Sequence, residues 1–231
     1  VQKGEKMEVE TIVSDLDEEV YVGRLSVDSE ADLGEQLARI IDYQTTTGIF
    51  EDYHQVGLVA HKEGAPGKYV GAHESVRTAS YAFSPAFSTF YGNQAGVDDG
   101  DVSAAINAGL GLVCYRGHGS SSAWTGWNTF GDNYNSTDVT ALTNGMTPVV
   151  WSLACTNSNL GSNDCIGEVW MEQVDHGAVS FYGATVASYT SLNHELDRQL
   201  FKAVYDQDLG IHGQAVAYAE EQMAVMCGPE N

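Results

Sequence analysis

This sequence is short of positive charge and of cysteine, and each shortage excludes something. Lys and Arg number 10 against 32 Asp and Glu, a formal net charge of −22. Such a surface repels a phosphate backbone, which disfavours nucleic acid and anionic membrane as partners. The four cysteines, Cys114, Cys155, Cys165 and Cys227, make no CxxC pair and no zinc-ligand spacing. Cys114 sits inside an apolar run, where a free thiol behaves as a small hydrophobe. Cys165 and Cys227 are open either to pairing or to staying free. Neither GxGxxG nor a Walker loop occurs, so a nucleotide cofactor has no support. There is no run of about 18 apolar residues, so no segment reads as a membrane-spanning helix. Internal repeats and low-complexity stretches are missing too.

What is present is a core. A hydrophobic content of 43% over 231 residues is enough for one large domain. Residues 1–19 read as a polar, acidic N-terminal segment, with a short strand at Glu8–Val13, and residues 20–231 as the domain itself. Strands are expected at Val20–Ser26, Val56–His61, Phe87–Tyr91, Leu112–Tyr115, within Pro148–Ala154 and at Gly177–Gly183. Helices are expected after Asp28 or Ser29 as cap, at His73–Phe83, Asp98–Asn107, Thr137–Leu142, Ile166–Asp175, Leu192–Tyr205 and His212–Met226. Strands that alternate with helices and read as near-continuous apolar runs argue for an α/β fold. Its sheet would be mostly parallel, with helices on both faces. The stretch Ser120–Asn135 reads as a long loop without structure of its own, a kind that is usually functional or mobile.

Two strands end alike. GLVCYRGHG (Gly111–Gly119) runs from an apolar strand into a turn that presents His118 between glycines, and PVVWSLACTNSN (Pro148–Asn159) stops at Cys155. Parallel neighbours lie about 4.8 Å apart, so His118 and Cys155 would meet at the carboxyl edge of one sheet, where open α/β proteins place their chemistry. An imidazole beside a thiol supplies the means of forming the nucleophilic thiolate. Each residue alone has an ordinary reading, a turn histidine and a core cysteine. His54, His61, His73, His176, His194 and His212 lack a paired ligand at close spacing and read as structural. Asp98-Asp99-Asp101 and Asp132-Asn133-Asn135 look like fragments of calcium loops, but they read better as caps and solvated carboxylates.

Three segments carry a family resemblance: VYVGRLSVDSEADLGEQLARIIDY at Val20–Tyr43, YRGHGSSSAW at Tyr115–Trp124, and SLACTNSN with Cys165 ten residues beyond Cys155. Together they resemble the gingipain-type cysteine peptidases, relatives of caspases and legumains. The likeness runs from about Ser14 to Tyr205, and what precedes it resembles the tail of a preceding region. It implies a caspase-like three-layer α/β sandwich and a cysteine endopeptidase acting on proteins or peptides, secreted or at the cell surface. No cofactor would be needed for the chemistry, and a structural calcium is expected without assignable ligands. It further implies Cys155 as nucleophile, His118 as general acid/base, Glu63 as the acid supporting the histidine, and the amides of Gly119 and Cys155 as oxyanion hole.

The departures bear on specificity. Arginine-specific gingipains carry an aspartate in the segment matching Val70–Glu74, and Val70 takes its place. Arg116 stands where those enzymes have a small polar residue at the rim of the primary pocket. Tyr189, Thr190 and His194 would form the far wall. A guanidinium there, with no facing carboxylate, would turn basic side chains away and favour an acidic or carboxamide one. The other reading of Arg116 points it outward to an acidic surface. A non-catalytic surface or binding module and a transpeptidase on the same site are the alternative functions.

Overall fold

The structure is a computed structural model that describes residues 20–46, 54–64, 68–161 and 164–227. In chain order its elements are α1 (Glu30–Thr45), β1 (Gln55–Ala60), α2 (Lys68–Arg77), β2 (Ala86–Tyr91), α3 (Asp99–Gly109) and β3 (Leu112–Arg116). Next come β4 (Gly119–Ser120), β5 (Ala123–Trp124), β6 (Tyr134–Asn135), α4 (Ser136–Thr140) and β7 (Val149–Leu153). The chain continues through α5 (Ile166–Glu172), β8 (Ser180–Gly183), α6 (Thr190–Tyr205) and α7 (His212–Cys227).

The main sheet is all parallel, in the order β2-β1-β3-β7-β8. Strand order reverses between β1 and β3, and the crevice beyond the carboxyl ends at such a switch point is where α/β sheets bind ligands. Alternation along the strands divides the core. Val59, Val113, Tyr115 and Val150 face α3, α4 and α5, through Ile106, Val139, Ile166 and Trp170. Leu58, Leu112, Cys114 and Trp151 face α2, α6 and α7, through Tyr69, Val76, Leu200, Phe201 and Ala219. Helices on both faces of a parallel sheet make the expected three layers.

Local signals account for the helix starts. The Ser29 side chain accepts the Asp32 amide at the head of α1, and Asp98 with Asp101 forms a reciprocal capping box on α3. Several expectations are corrected. Residues 21–27 form no strand; Val22, Leu25 and Val27 are exposed, and Tyr21 sets its Cβ against Gly213 at the start of α7. Helix α2 begins at Lys68 and stops at Arg77, earlier than expected, which places Val70 and His73 within it. The 120–135 stretch has its own structure, the antiparallel sheet β4-β5-β6. Aromatic stacking holds that small sheet down: Tyr115 on Trp124 at 4.5 Å, Trp124 on Tyr134 at 4.9 Å, Tyr134 on Trp170 at 6.4 Å. Such pairs stabilise beyond the area they bury. The strand expected at Glu8–Val13 lies outside the described residues.

One glycine locks this flap to the main sheet. The Gly92 amide, just past β2, donates to Ala60 O at 2.8 Å, and Lys62 N donates to Trp127 O at 2.7 Å. A Cβ on Gly92 would drive into the carbonyl of Trp127, a backbone atom that cannot rotate away. Gly92→Ala is therefore expected to destabilise the fold by about 1–3 kcal/mol, as overpacking does, read as a lower denaturant midpoint at unchanged slope.

Candidate active site

The register of the parallel strands brings the site together. Ala60 pairs with Arg116, and Arg116 with Leu153. His118 and Cys155 each follow two residues after a paired position, and Glu63 three residues after Ala60. His118 Nε2 is hydrogen-bonded to Glu63 Oε2, which joins the two at the sheet edge. This contact, ahead of Lys68, holds the Glu63 carboxyl below its ordinary range. With Nε2–H donating to the carboxylate, Nδ1 becomes the basic nitrogen of the ring.

The histidine is held by its backbone as well. His118 O accepts from Thr125 N at 2.9 Å and from the Tyr115 hydroxyl at 2.9 Å. Gly117 permits this fit: a Cβ there would strike the Tyr115 ring and His61 Cβ. His61, read from sequence as structural, belongs to the site. Its ring stands edge-on to that of His118 with centroids 4.9 Å apart, and its Nδ1 accepts the Glu63 amide at 2.9 Å. Burial first, and the neighbouring His118 second, push His61 down to about 4, so it stays a neutral acceptor in neutral solution. The signal for His61 was its position one residue past β1. Tyr69, also missed, lies under the group, 5.6 Å from the His118 ring and 5.7 Å from that of His61.

Cys155 is half-buried, with Sγ in the loop between β8 and α6: it accepts the Ser188 amide at 3.4 Å and lies 3.5 Å from Ser188 O. Asn193 Nδ2 donates to the Ser188 hydroxyl at 2.8 Å and steadies that loop. Gly119, the expected oxyanion donor, packs directly on the cysteine turn; a Cβ on it would stand 2.5 Å from Cys155 O. Beside Cys155 is a cavity of about 260 Å³ lined by Leu153, Ala154, Tyr189, Leu192, Leu196 and Met223 among others, with no acidic or basic side chain among the described residues.

Arg116 is where the structure departs furthest from expectation. It is fully buried, neither at a pocket rim nor on the surface. As the last residue of β3 it shares the face of Leu112 and Cys114, so its side chain points under α2 and α6. Its guanidinium donates to Leu153 O at 2.7 Å, Thr190 O at 3.3 Å and His194 Nδ1 at 2.6 Å. Asp197 Oδ2 faces it at 4.0 Å, and Cζ lies 5.5 Å from the Tyr69 ring centre. The expectation of no facing carboxylate is thus corrected: a buried charge has to be paired and hydrogen-bonded. Burial lifts the Asp197 carboxyl to about 6 against the pull of Arg116, and burial with Arg116 brings His194 down to about 4. Thr190 and His194 therefore hold Arg116, while Tyr189, largely exposed, edges the cavity. Val70 is half-buried at the margin of the core and does not line the cavity.

Among the described residues two groups place metal-ligating atoms within 4.8 Å of one another: the buried His61 with the exposed Glu63 and His118, and His73, Cys114 and Asp197 inside. The inner set has a guanidinium as neighbour, which opposes a cation. The acidic loops do not fit calcium, which needs six to eight oxygens. Asp98 and Asp101 cap α3, Asp99 accepts the Trp127 indole at 2.5 Å, Asn133 accepts Gly126 N, and Asn135 caps α4. Cys165 is a buried free thiol, lifted to about 11 mainly by burial.

Comparison with known proteins shows the family and the fold. A profile of Peptidase family C25 matches residues 9–230. Gingipain R2 and gingipain R1 of Porphyromonas gingivalis are each 32% identical over 180 residues, 74% of this chain but 23% and 17% of theirs. Among solved structures, the Arg-specific cysteine proteinase gingipain R superposes with a TM-score of 0.80 at 25% identity. That match covers 94% of this chain and 52% of the other. A complex of the RgpB pro- and mature domains gives 0.73 at 22% identity, over 93% and 53%. The chain thus spans about a quarter or less of the curated relatives and about half of the solved chains.

Removing Arg116 should expose what its burial costs. Arg116→Met leaves Asp197 buried without its cation, and is expected to lower stability by about 3–5 kcal/mol. Pairing it with Asp197→Leu should recover most of that loss, as a double-mutant cycle in denaturant will read.

Proposed function

The chain belongs to peptidase family C25, and from that premise we propose that it is a cysteine endopeptidase working through Cys155, His118 and Glu63. The observation that carries the reading is the His118–Glu63 contact at the same sheet edge as Cys155. Cys155 Sγ, its proton taken by His118, attacks a peptide carbonyl to form a C–S bond. The amides of Gly119 and Cys155 hold the oxyanion. The C–N bond then breaks as His118 gives its proton to the leaving amine, and water, deprotonated by His118, hydrolyses the thioester and restores the thiol. Glu63 orients the ring and balances the imidazolium between these steps.

We extend the proposal to specificity for a non-basic residue before the cleaved bond. One relative is described as Arg-specific, but among the described residues no carboxylate lines the cavity beside Cys155, and the buried Asp197 faces Arg116. The enclosed guanidinium also moves the reading from an acidic towards an uncharged side chain, because it is fully buried with Nη1 and Nη2 turned to Leu153 O, Thr190 O and His194. The substrate is protein or peptide. A secreted or surface setting follows from the family resemblance, and no described helix is long and apolar enough to cross a membrane.

Cys155→Ala should remove peptide cleavage and labelling by iodoacetamide while leaving the thermal midpoint in place; cleavage that persists in that variant refutes the assignment. Glu63→Gln is expected to lower kcat by roughly 10²-fold, the low end of what positioned proton transfer contributes. A peptide library should show cuts after uncharged residues, and turnover confined to Arg- or Lys-containing sites would overturn the specificity claim.

A further inference from the structure

Two residues beyond Cys155, a fully buried asparagine reaches back across the site. Asn157 Nδ2 donates to Ser120 O at 2.5 Å and to Ala123 O at 3.1 Å, the two sides of the β4–β5 hairpin that begins at Gly119. Its Oδ1 accepts the Ser152 hydroxyl at 2.7 Å, and Ser152 Oγ accepts the Trp124 indole at 2.9 Å. Both N–H groups of the Asn157 amide and one lone pair of its oxygen are therefore committed, and Ser152 of β7, itself bonded to the Trp124 indole, fixes the amide's orientation. A Cβ on Gly119 would stand 2.9 Å from both Nδ2 and Oδ1. Gly119 thus rests on the Asn157 amide plane and the Cys155 carbonyl at once.

The backbone around Asn157 is anchored from the opposite direction. Thr156 takes a positive φ of 57°, unusual for a β-branched residue. This turn lets Asn157 fold back beneath the histidine hairpin while Thr156 N and Ser158 N donate to Val186 O and Ala184 O, each at 3.0 Å. Gly167 N at the head of α5 donates to Asn157 O at 3.0 Å. The cysteine turn is therefore tied by main chain to the segment that follows β8, and by the Asn157 side chain to the histidine hairpin.

We propose that Asn157 is a positioning residue that fixes the Gly119 amide against Cys155, so that the oxyanion hole is formed before substrate arrives. This rests on the peptidase reading above. An oxyanion donor helps only when it already stands where charge develops. Replacing Nδ2 by an acceptor would set oxygen against the carbonyls of Ser120 and Ala123 and push the Gly119 hairpin off the cysteine turn.

The test uses this chain with two variants, a peptide amide substrate, and iodoacetamide, whose alkylation of Cys155 needs the thiolate but no oxyanion hole. Asn157→Asp keeps the shape and is expected to lower kcat about 100-fold at neutral pH, the scale of one lost oxyanion donor. The alkylation rate should fall far less than kcat, by no more than about tenfold, since neither Cys155 nor His118 is replaced and the new carboxylate acts on the thiolate through its charge. The ratio of variant to wild-type kcat should rise as pH falls, because a protonated carboxyl regains a donor for one of the two carbonyls. Ser152→Ala removes the hydroxyl that orients Oδ1 and also accepts the Trp124 indole, and should show the same split, smaller in size. Wild-type kcat in Asn157→Asp overturns the proposal, as does a parallel loss of kcat and alkylation in both variants. If Asn157→Asp does not fold, an unchanged kcat in Ser152→Ala overturns it. A wild-type chain whose Cys155 is neither alkylated nor active removes the peptidase reading, and this inference with it.

Discussion

The parallel register of three central strands is the constraint on which everything else here depends. Ala60, Arg116 and Leu153 sit level across β1, β3 and β7, and the reacting groups leave the sheet two or three residues later. Backbone pairing therefore sets where these groups leave the sheet, and the loops beyond the strand ends set how they are held. A slip of one residue in β3 would send Arg116 to the face that carries Tyr115 and move His118 away from Glu63. The buried residues of β3 and β7 resist such a slip, since every one of them faces a packed helix layer.

The two faces of the sheet carry different burdens. Against α3, α4 and α5 the packing is apolar and aromatic, with four buried rings stacked in series. Against α2 and α6 the layer holds Arg116, Asp197, His73 and Cys114, all fully buried. Both ring nitrogens of His73, Arg116 Nε and Asp197 Oδ2 have no hydrogen-bond partner among the described residues. Burial, followed by Arg116, holds His73 well below its ordinary value, so it is neutral here. This polar layer lies directly beneath Tyr69 and the site histidines. Stability is conceded in the layer that shapes the site, and the aromatic layer opposite offsets it.

Much of this was legible in the sequence. Apolar runs that end in GHG and in Cys155 marked two strand ends, and the Ser29 and Asp98 caps marked helix starts. Glu63 needed the family resemblance, because a charge in a Gly- and Pro-containing loop has no intrinsic signature. Arg116 was misread although the clue was available: it alternates with Leu112 and Cys114, so strand parity already placed it inside. Asn157 and Ser188 were not legible, because their partners come from segments more than 30 residues away, and the small sheet was missed for another reason. Short strands of two residues leave no periodicity to read, and the stacking that holds them is visible only once the rings have met.

The loop that cradles Cys155 Sγ, and the helix α6 that supplies His194 and Asp197, both belong to the last third of the chain. Glu63 and His118 emerge from the ribosome well before them. Contacts of such long sequence separation form late, since loop closure must precede any gain from them. During synthesis the nascent chain thus carries its thiol and its imidazole without the walls that align them. In a growing chain of this build the two groups come to lie against their walls only when α6 docks, an order of assembly that follows from the order of the elements along the sequence.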